Sequence, residues 1–319
     1  MDHFCLIIPC NRTEFLDSII KFYSSTKIKV KIVHNLSKDF QNNFSSNIEF
    51  IFVDKENPFM RVIDSLKKIN EKYCMLFSDD DFVFEDTIKR SINFLEANAD
   101  FVTSQGLLCN FDYKDWQTCN FNNLDFSIIN RETDSKFKNI RLLQSLTTRY
   151  VDRIYSTTKR EILLDILESA EPLLDDYWQS MEIYFICCLT LVGRDNVFMD
   201  IGWMKGQHDN NLHKKENYLT DYWIFNRKFI LLFFACLNNF SNKRKINNFS
   251  FIYFLFIFFI FKMKIISLGY SNLFRMFFEK IKNFEKKKKI KFARDIYFNN
   301  IIKVNNIKNF ILKKRKDDY

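Results

Sequence analysis

The chain has 319 residues, 47% of them hydrophobic and 17% aromatic, with only 5 glycines and 3 prolines, which excludes a disordered or fibrous protein and leaves room for one large domain or two modest ones. The formal charge of +9 is unevenly spread: residues 241–319 carry 20 Lys and Arg against 5 Asp and Glu, leaving 28 against 34 for residues 1–240. A mildly acidic body with a basic end directs any anionic partner, whether surface or molecule, to that end.

Residues 4–8 (FCLII), stopped by Pro9, predict a short buried strand. The next segment predicts a helix with Thr13 as its cap and Phe15, Ile19 and Phe22 on one face. Strands are expected at 27–33 and 48–54, then an amphipathic helix over 58–73 marked by Met60, Ile63, Leu66 and Ile69. An apolar strand at 73–77 runs into the aspartates 79–81, followed by a helix over 86–98 capped by Asp86 and a strand over 99–108. This order predicts an α/β fold with a mostly parallel sheet covered on both faces. The Asn-rich stretch 109–138 reads as a loop, with helices at 139–150, 158–168 and 176–192, a strand in DNVFMDIGWM (195–204), and a helical, aromatic, basic region from 228. In parallel sheets ligands bind beyond the carboxyl ends of the strands, and Pro9–Arg12, Asp54 and Asp79–Asp81 stand at three such ends.

Three adjacent carboxylates repel one another unless protonated, well solvated or neutralised by a cation. In an extended segment residues i and i+2 share a side, so Asp79 and Asp81 are expected to reach one ion while Asp80 points elsewhere. Hard oxygens suit Mg²⁺ or Mn²⁺, which bridge proteins to substrate phosphates. A DDxxD prenyl-diphosphate box is excluded by Val83 and Phe84, and a DxDGT phosphatase nucleophile by Phe82 and Val83.

A strand with IIPCNR, a helix, and later YCMLFSDDDF resembles the GT-A-fold, family-2-like nucleotide-sugar glycosyltransferases. The DDDF spelling, with PFMRVIDSLKKINEKY before it and a SQG strand after it, is most similar to a bacterial subgroup. The resemblance covers residues 3–110 and, more thinly, 139–208. It implies a GT-A domain over 1–225, with a nucleotide-sugar half (1–110) and an acceptor half (111–225), followed by a helical basic extension over 226–319. It implies that Asp79 and Asp81 hold the metal and, with Asp80, the ribose or diphosphate of the donor. Pro9, Asn11, Arg12 and Glu14 match the nucleotide-binding loop. Family-2 enzymes usually carry an acid after the second strand to contact the base; here His34 and Asn35 stand there, so Asn35, with Asp54, is assigned to the nucleotide side.

An inverting transfer needs a carboxylate to deprotonate the acceptor hydroxyl. Glu182 lies in an otherwise apolar helical segment, where a carboxylate is costly unless it lines a wet cleft or meets a cation. The family's acidic base sits on a similar helix, which implies Glu182 as the base, with Asp175 seven residues earlier on the same face; pairing with Arg160 or Arg194 is the structural alternative. His208 is a candidate third metal ligand. Tyr155, Lys159 and Gln105–Gly106 either shape the acceptor pocket or pack.

The run FSFIYFLFIFFIF (249–261) is too short for the roughly 20 residues of a spanning helix. NLFRMFFEKIKNF (272–284) has an apolar face and a lysine face, the pattern of a helix lying on a membrane; packing on the body is the alternative. Eight cysteines form no CxxC pair, and the opening MDHFCLIIP is not expected to act as a signal peptide, so the expected setting is cytoplasmic and peripheral to the inner face of the plasma membrane. The expected function is metal-dependent, inverting transfer of a sugar from a nucleotide-sugar donor to a glycan or glycolipid acceptor: a lipid-linked, lipopolysaccharide or capsule precursor. A sugar nucleotidyltransferase opens with a Gly-rich loop, which IIPCNRTEF lacks; of a non-enzymatic nucleic-acid- or membrane-binding protein, the nucleic-acid reading is disfavoured by the acidic body and the absence of a nucleic-acid-binding motif. Nucleic acid is not an expected partner.

Overall fold

The computed structural model describes residues 3–37, 45–112, 135–147, 153–174, 180–207 and 227–246. Eight strands form one sheet: β1 (Phe4–Pro9), β2 (Val30–His34), β3 (Ile48–Phe52), β4 (Tyr73–Leu76), β5 (Phe82–Val83), β6 (Phe101–Asp112), β7 (Thr157–Lys159) and β8 (Arg194–Gln207). Their order across the sheet is β3-β2-β1-β4-β7-β6-β8-β5. Strands β3, β2, β1 and β4 are mutually parallel, β7 is antiparallel to both neighbours, β8 is parallel to β6, and β5 closes the edge antiparallel to β8. The expected α/β class, with a mostly parallel sheet between helices, is what folds.

Successive side chains of a strand face opposite sides, and β1 shows this although it is apolar throughout. Phe4, Leu6 and Ile8 enter one core with α1 (Leu16–Ser24) and α3 (Glu85–Ala97). Cys5 and Ile7 enter the other, with α2 (Pro58–Lys68), α5 (Arg160–Ser169), α6 (Glu171–Leu174), α7 (Met181–Val192) and α8 (Arg227–Lys243). The remaining helix, α4 (Lys138–Thr147), packs on α7. Helix α8, the first of the expected extension, is part of this body: Phe229, Phe233, Leu237 and Phe240 are buried in the shared core. Its end is tied to α5 by Lys243 to Asp165 (2.7 Å) and Arg244 to Asp165 (3.1 Å). Residues 247–319, with the apolar run and the lysine-rich segment, lie outside the described residues. Among the described residues no helix is long and apolar enough to cross a membrane.

Several local expectations are corrected. Thr13 does not cap a helix: it opens a 3-10 turn, Thr13–Phe15, and α1 buries Leu16, Ile19, Ile20 and Tyr23, leaving Phe15 and Phe22 at the margin. Helix α2 stops at Lys68 and takes its cap from Asn57, whose side chain accepts from the amides of Phe59 (2.9 Å) and Met60 (3.3 Å). Asp86 is not the cap of α3; Phe84 occupies that position and Asp86 lies in the first turn, accepting from the Thr87 amide. The helix expected from 158 starts at Arg160, because Thr157–Lys159 pair between β4 and β6. Strand β6 runs to Asp112, beyond the expected loop boundary.

Strands β6 and β8 meet at two glycines. A Cβ on Gly106 would lie 2.5 Å from the Gly202 Cα, and one on Gly202 would lie 2.5 Å from the Gly106 Cα. The pairing register shifts at this crossing, so backbone approaches where any side chain would clash.

Candidate functional site

In the order β3-β2-β1-β4 the connection reverses direction between β1 and β4, the point where such sheets open a crevice at their carboxyl edge. The segments leaving β1 and β4 there carry Pro9–Arg12 and Asp79–Asp81. Asn35 and Asp54 leave β2 and β3 on the same edge, Asn35 half-buried and Asp54 exposed. Glu14 is exposed on the turn after the first loop.

The contact between these two segments is made by Asp79. Its Oδ2 accepts from the backbone amides of Asn11 (3.0 Å) and Arg12 (3.0 Å), and its Oδ1 accepts from Arg12 Nε (2.9 Å) and from Arg12 Nη2. Arg12 Nη2 also pairs with Asp80 Oδ1 at 2.8 Å, and Ser78 Oγ donates to that same oxygen. Burial works against the Arg12 charge, but the bonds to Asp79 and the charge of Asp80 outweigh it and hold the guanidinium above its ordinary pKa. Residues 79 and 80 form a turn rather than an extended segment. The alternation that paired Asp79 with Asp81 therefore does not operate: Asp79 and Asp80 both meet Arg12, and Asp79 has both oxygens engaged in joining the loops.

The turn is fixed on its far side as well. The Val83 amide donates to the Tyr23 hydroxyl (3.1 Å) and the Phe84 amide to the Gly202 carbonyl (3.0 Å). Tyr23 is fully buried, and its phenol is pushed far up by burial and then by the charge of Asp81. Asp81 is itself 1% exposed.

A buried cation that the sequence reading missed holds the first loop from below. Arg61 on α2 is 1% exposed and donates to the carbonyls of Lys55 (3.0 Å), Glu56 (2.9 Å) and Cys10 (3.4 Å), and to Asn11 Oδ1. It binds the loops after β1 and β3 together. Its one sequence signal is an arginine on the apolar side of an amphipathic helix. Burial lowers its pKa, and burial followed by the Arg61 charge keeps the neighbouring His34 imidazole below its ordinary value.

Phe77, Tyr155 and Trp203 form an aromatic cluster with ring centroids 4.8 to 5.8 Å apart. Lys205 Nζ lies 5.8 Å from the Tyr155 centroid. The β5–β8 ladder pairs Phe82 with Met204, which brings this part of β8 beside the aspartate turn. Lys159 pairs with Tyr73 at the opposite edge of the sheet, so it does not line this crevice. Gln105 is buried and Gly106 serves the strand crossing.

Glu182 is half-buried in the first turn of α7. The end of α7 turns through Gly193 onto the start of β8, where the Arg194 amide donates to the Asp100 carbonyl. Helix α7 is roughly 18 Å long, and Glu182 stands at the end away from β8. The two arginines weighed as structural partners are engaged elsewhere, Arg194 with Asp100 (2.7 Å) and Arg160 with the Leu66 carbonyl (3.1 Å). Asp175 and His208 lie outside the described residues.

No protein-family model and no curated protein matches the sequence. Among solved structures, S. aureus TarS 1-349 in complex with UDP-GlcNAc is similar at 15% identity and a TM-score of 0.46, over 75% of this chain and 66% of that one. S. aureus TarS is similar at 14% identity and a TM-score of 0.43, over 64% of this chain and 36% of that one. Mannosyl-3-phosphoglycerate synthase from Rubrobacter xylanophilus is similar at 8% identity and a TM-score of 0.36, over 75% of this chain and 73% of that one. The chain thus spans less than two thirds of the length of the TarS chains it matches. Its fold stands on its own sheet order.

Among the described residues no group of three or more His, Cys, Asp or Glu side chains is gathered to hold a metal ion. The donor set of the turn nonetheless has the hard carboxylate oxygens that Mg²⁺ or Mn²⁺ take. Asp79 has both oxygens engaged in the loop contact, Asp80 pairs with Arg12, and Asp81 is 1% exposed.

Proposed function

We propose that this chain is a glycosyltransferase that takes a sugar from a nucleoside-diphosphate donor by a single, inverting displacement. The observation that carries this reading is the clamp at the β1–β4 switch point: one carboxylate, Asp79, takes two backbone amides of the loop after β1 and the Arg12 side chain. That arrangement builds a rigid polar rim where a nucleotide lies in an open parallel sheet.

In this reading Pro9, Asn11, Arg12 and Glu14 form the rim for the nucleoside, with Asn35 and Asp54 at its outer end. Asp80 and Asp81 hold Mg²⁺ or Mn²⁺, with His208 as a further ligand. When bound there, such an ion would supply positive charge to the departing diphosphate. Glu182 takes the proton of the acceptor hydroxyl as its oxygen bonds to the anomeric carbon and the bond from that carbon to the diphosphate breaks. Tyr155, Trp203 and Lys205 offer an aromatic and cationic wall for a glycan or glycolipid acceptor. The basic segment beyond residue 247 suits work at a membrane surface on a lipid-linked or lipopolysaccharide precursor.

The test is a panel of nucleotide sugars, headed by UDP-GlcNAc, assayed for Mn²⁺-dependent hydrolysis and for protection against melting. Asp81→Ala is expected to lose hydrolysis by about two orders of magnitude or more, since the group acts where charge develops. Failure of every nucleoside diphosphate to protect the wild-type protein overturns the reading.

A further inference from the structure

We infer that Arg12 is an internal counter-ion which occupies the aspartate turn until a diphosphate draws it away, so that nucleotide binding opens the turn to a divalent metal. The inference rests on the nucleotide reading above and goes beyond it, because it assigns an order and a coupling to the two ligands.

The geometry supplies the parts. Arg12 places one guanidinium nitrogen between Asp79 and Asp80, 2.8 Å from Asp80 Oδ1, and its Nε 2.9 Å from Asp79 Oδ1. A metal approaching Asp80 meets a cation already bound to that carboxylate, so it must break an ion pair and bear the repulsion of a guanidinium. Asp79 and Asp80 are almost buried, whereas the Arg12 side chain keeps 26% of its surface. The cation is thus reachable from the crevice while the carboxylates behind it are not.

A guanidinium binds phosphate and carboxylate with the same fork of donors, so a diphosphate competes for Arg12 in the geometry the carboxylates now use. The loop need not move for this exchange. Asp79 keeps its two backbone bonds to Asn11 and Arg12 when the side chain turns, and Arg61 holds Asn11 from below. Only the side chain of residue 12 changes partner, and Asp80 is released to the ion. The Phe15 ring already lies 4.9 Å from the guanidinium carbon while Arg12 is on the aspartates.

Reciprocity then requires that each ligand raise the affinity for the other by one factor, about tenfold from the Arg12 contribution alone. Direct metal–diphosphate contact also couples the two, so the discriminating measurement is binding of Mn²⁺ alone. Mn²⁺ binding is followed by electron paramagnetic resonance with and without UDP, on wild type, Arg12→Gln and Arg12→Lys, with folding checked by circular dichroism. Arg12→Gln is expected to bind Mn²⁺ alone about tenfold more tightly than wild type, and UDP in EDTA more weakly. Arg12→Lys keeps the charge but loses the fork; its Mn²⁺–UDP coupling is expected to fall in the same direction by a smaller factor, and it provides the result if the glutamine variant does not fold. Unchanged affinity for Mn²⁺ alone in a folded Arg12→Gln protein, or unchanged coupling in Arg12→Lys, overturns the inference. Absence of UDP and other nucleoside diphosphate binding by wild type overturns the functional reading instead, so the two failures are told apart.

Discussion

Two of the arginine–aspartate contacts among the described residues differ in access to water. At the carboxyl edge Arg12 meets Asp79 and Asp80 with a quarter of its side chain exposed. Toward the amino end of β8, Arg153 meets Asp195 at 3.0 Å with both side chains buried. There Arg153 also donates to Thr190 Oγ1 (2.6 Å), and a second buried arginine, Arg141, donates to the Thr190 carbonyl (2.9 Å) and to the carbonyls of Ser135 and Lys136. Burial lowers the pKa of both arginines, with Asp195 opposing it. Opposite charge is used in both places; only the exposed cluster can exchange partners, because a buried ion that loses its partner has no water to replace it. The inner cluster joins α4, α7 and β8 and is a device of the fold. The outer one joins two loops and faces the crevice.

The largest test of this contrast is Asp195→Ala, which removes the carboxylate paired with the buried Arg153 guanidinium. It is expected to cost about 3–5 kcal/mol in urea denaturation. Next is Gly106→Ala, which places a methyl against the Gly202 backbone and is expected to cost about 1–3 kcal/mol by the same measurement, loosening the strand whose Gly202 carbonyl holds the aspartate turn. Asp79→Asn keeps the size of the outer clamp but weakens its charge-assisted bonds. It is expected to cost about 1–2 kcal/mol of stability, and UDP affinity measured by calorimetry is expected to fall about tenfold. Were Asp79→Asn to exceed Asp195→Ala in cost, the division between an exchangeable and a structural cluster would not hold.

The smallest effect is a pH dependence. The His34 imidazole, beside Arg61 and in edge contact with Phe50 and Phe52, has its pKa lowered by burial and then by Arg61. The unfolded chain therefore takes up a proton that the folded one resists. Stability is unaffected well above the ordinary imidazole value of 6.5 and declines as the pH falls through and below it. His34→Gln is expected to flatten that decline in melting temperature between pH 7.5 and about pH 5.5. An unchanged slope would assign the decline to another group.

Much of the first half was legible because its signals are local. The apolar runs of β1 and β4 and the amphipathic spacing of Met60, Ile63 and Leu66 fixed the elements, and their α/β order fixed the edge on which Pro9–Arg12 and the aspartates meet. The short strands β5 and β7 were not legible. Two or three residues carry no periodicity, and each exists through partners far along the chain, Met204 and Trp203 for β5, Cys74 and Ser104 for β7. The caps went astray for a related reason: Asn57 and Phe84 were decided by where the chain enters each helix, which composition does not state.

The aspartate trio shows the same division most closely. The sequence alone determined that three carboxylates follow a buried strand and favoured a cation over protonation or solvation as what relieves their repulsion. It assigned that cation to a metal shared by Asp79 and Asp81, because it assumed an extended segment. The tertiary structure decided what meets Asp79: a turn at 79–80 and the neighbouring strand β1 bring Arg12, 67 residues earlier, against it. Electrostatic need is a property of composition and is readable in one dimension; which charge meets it is a property of distance, and only the folded sheet sets that.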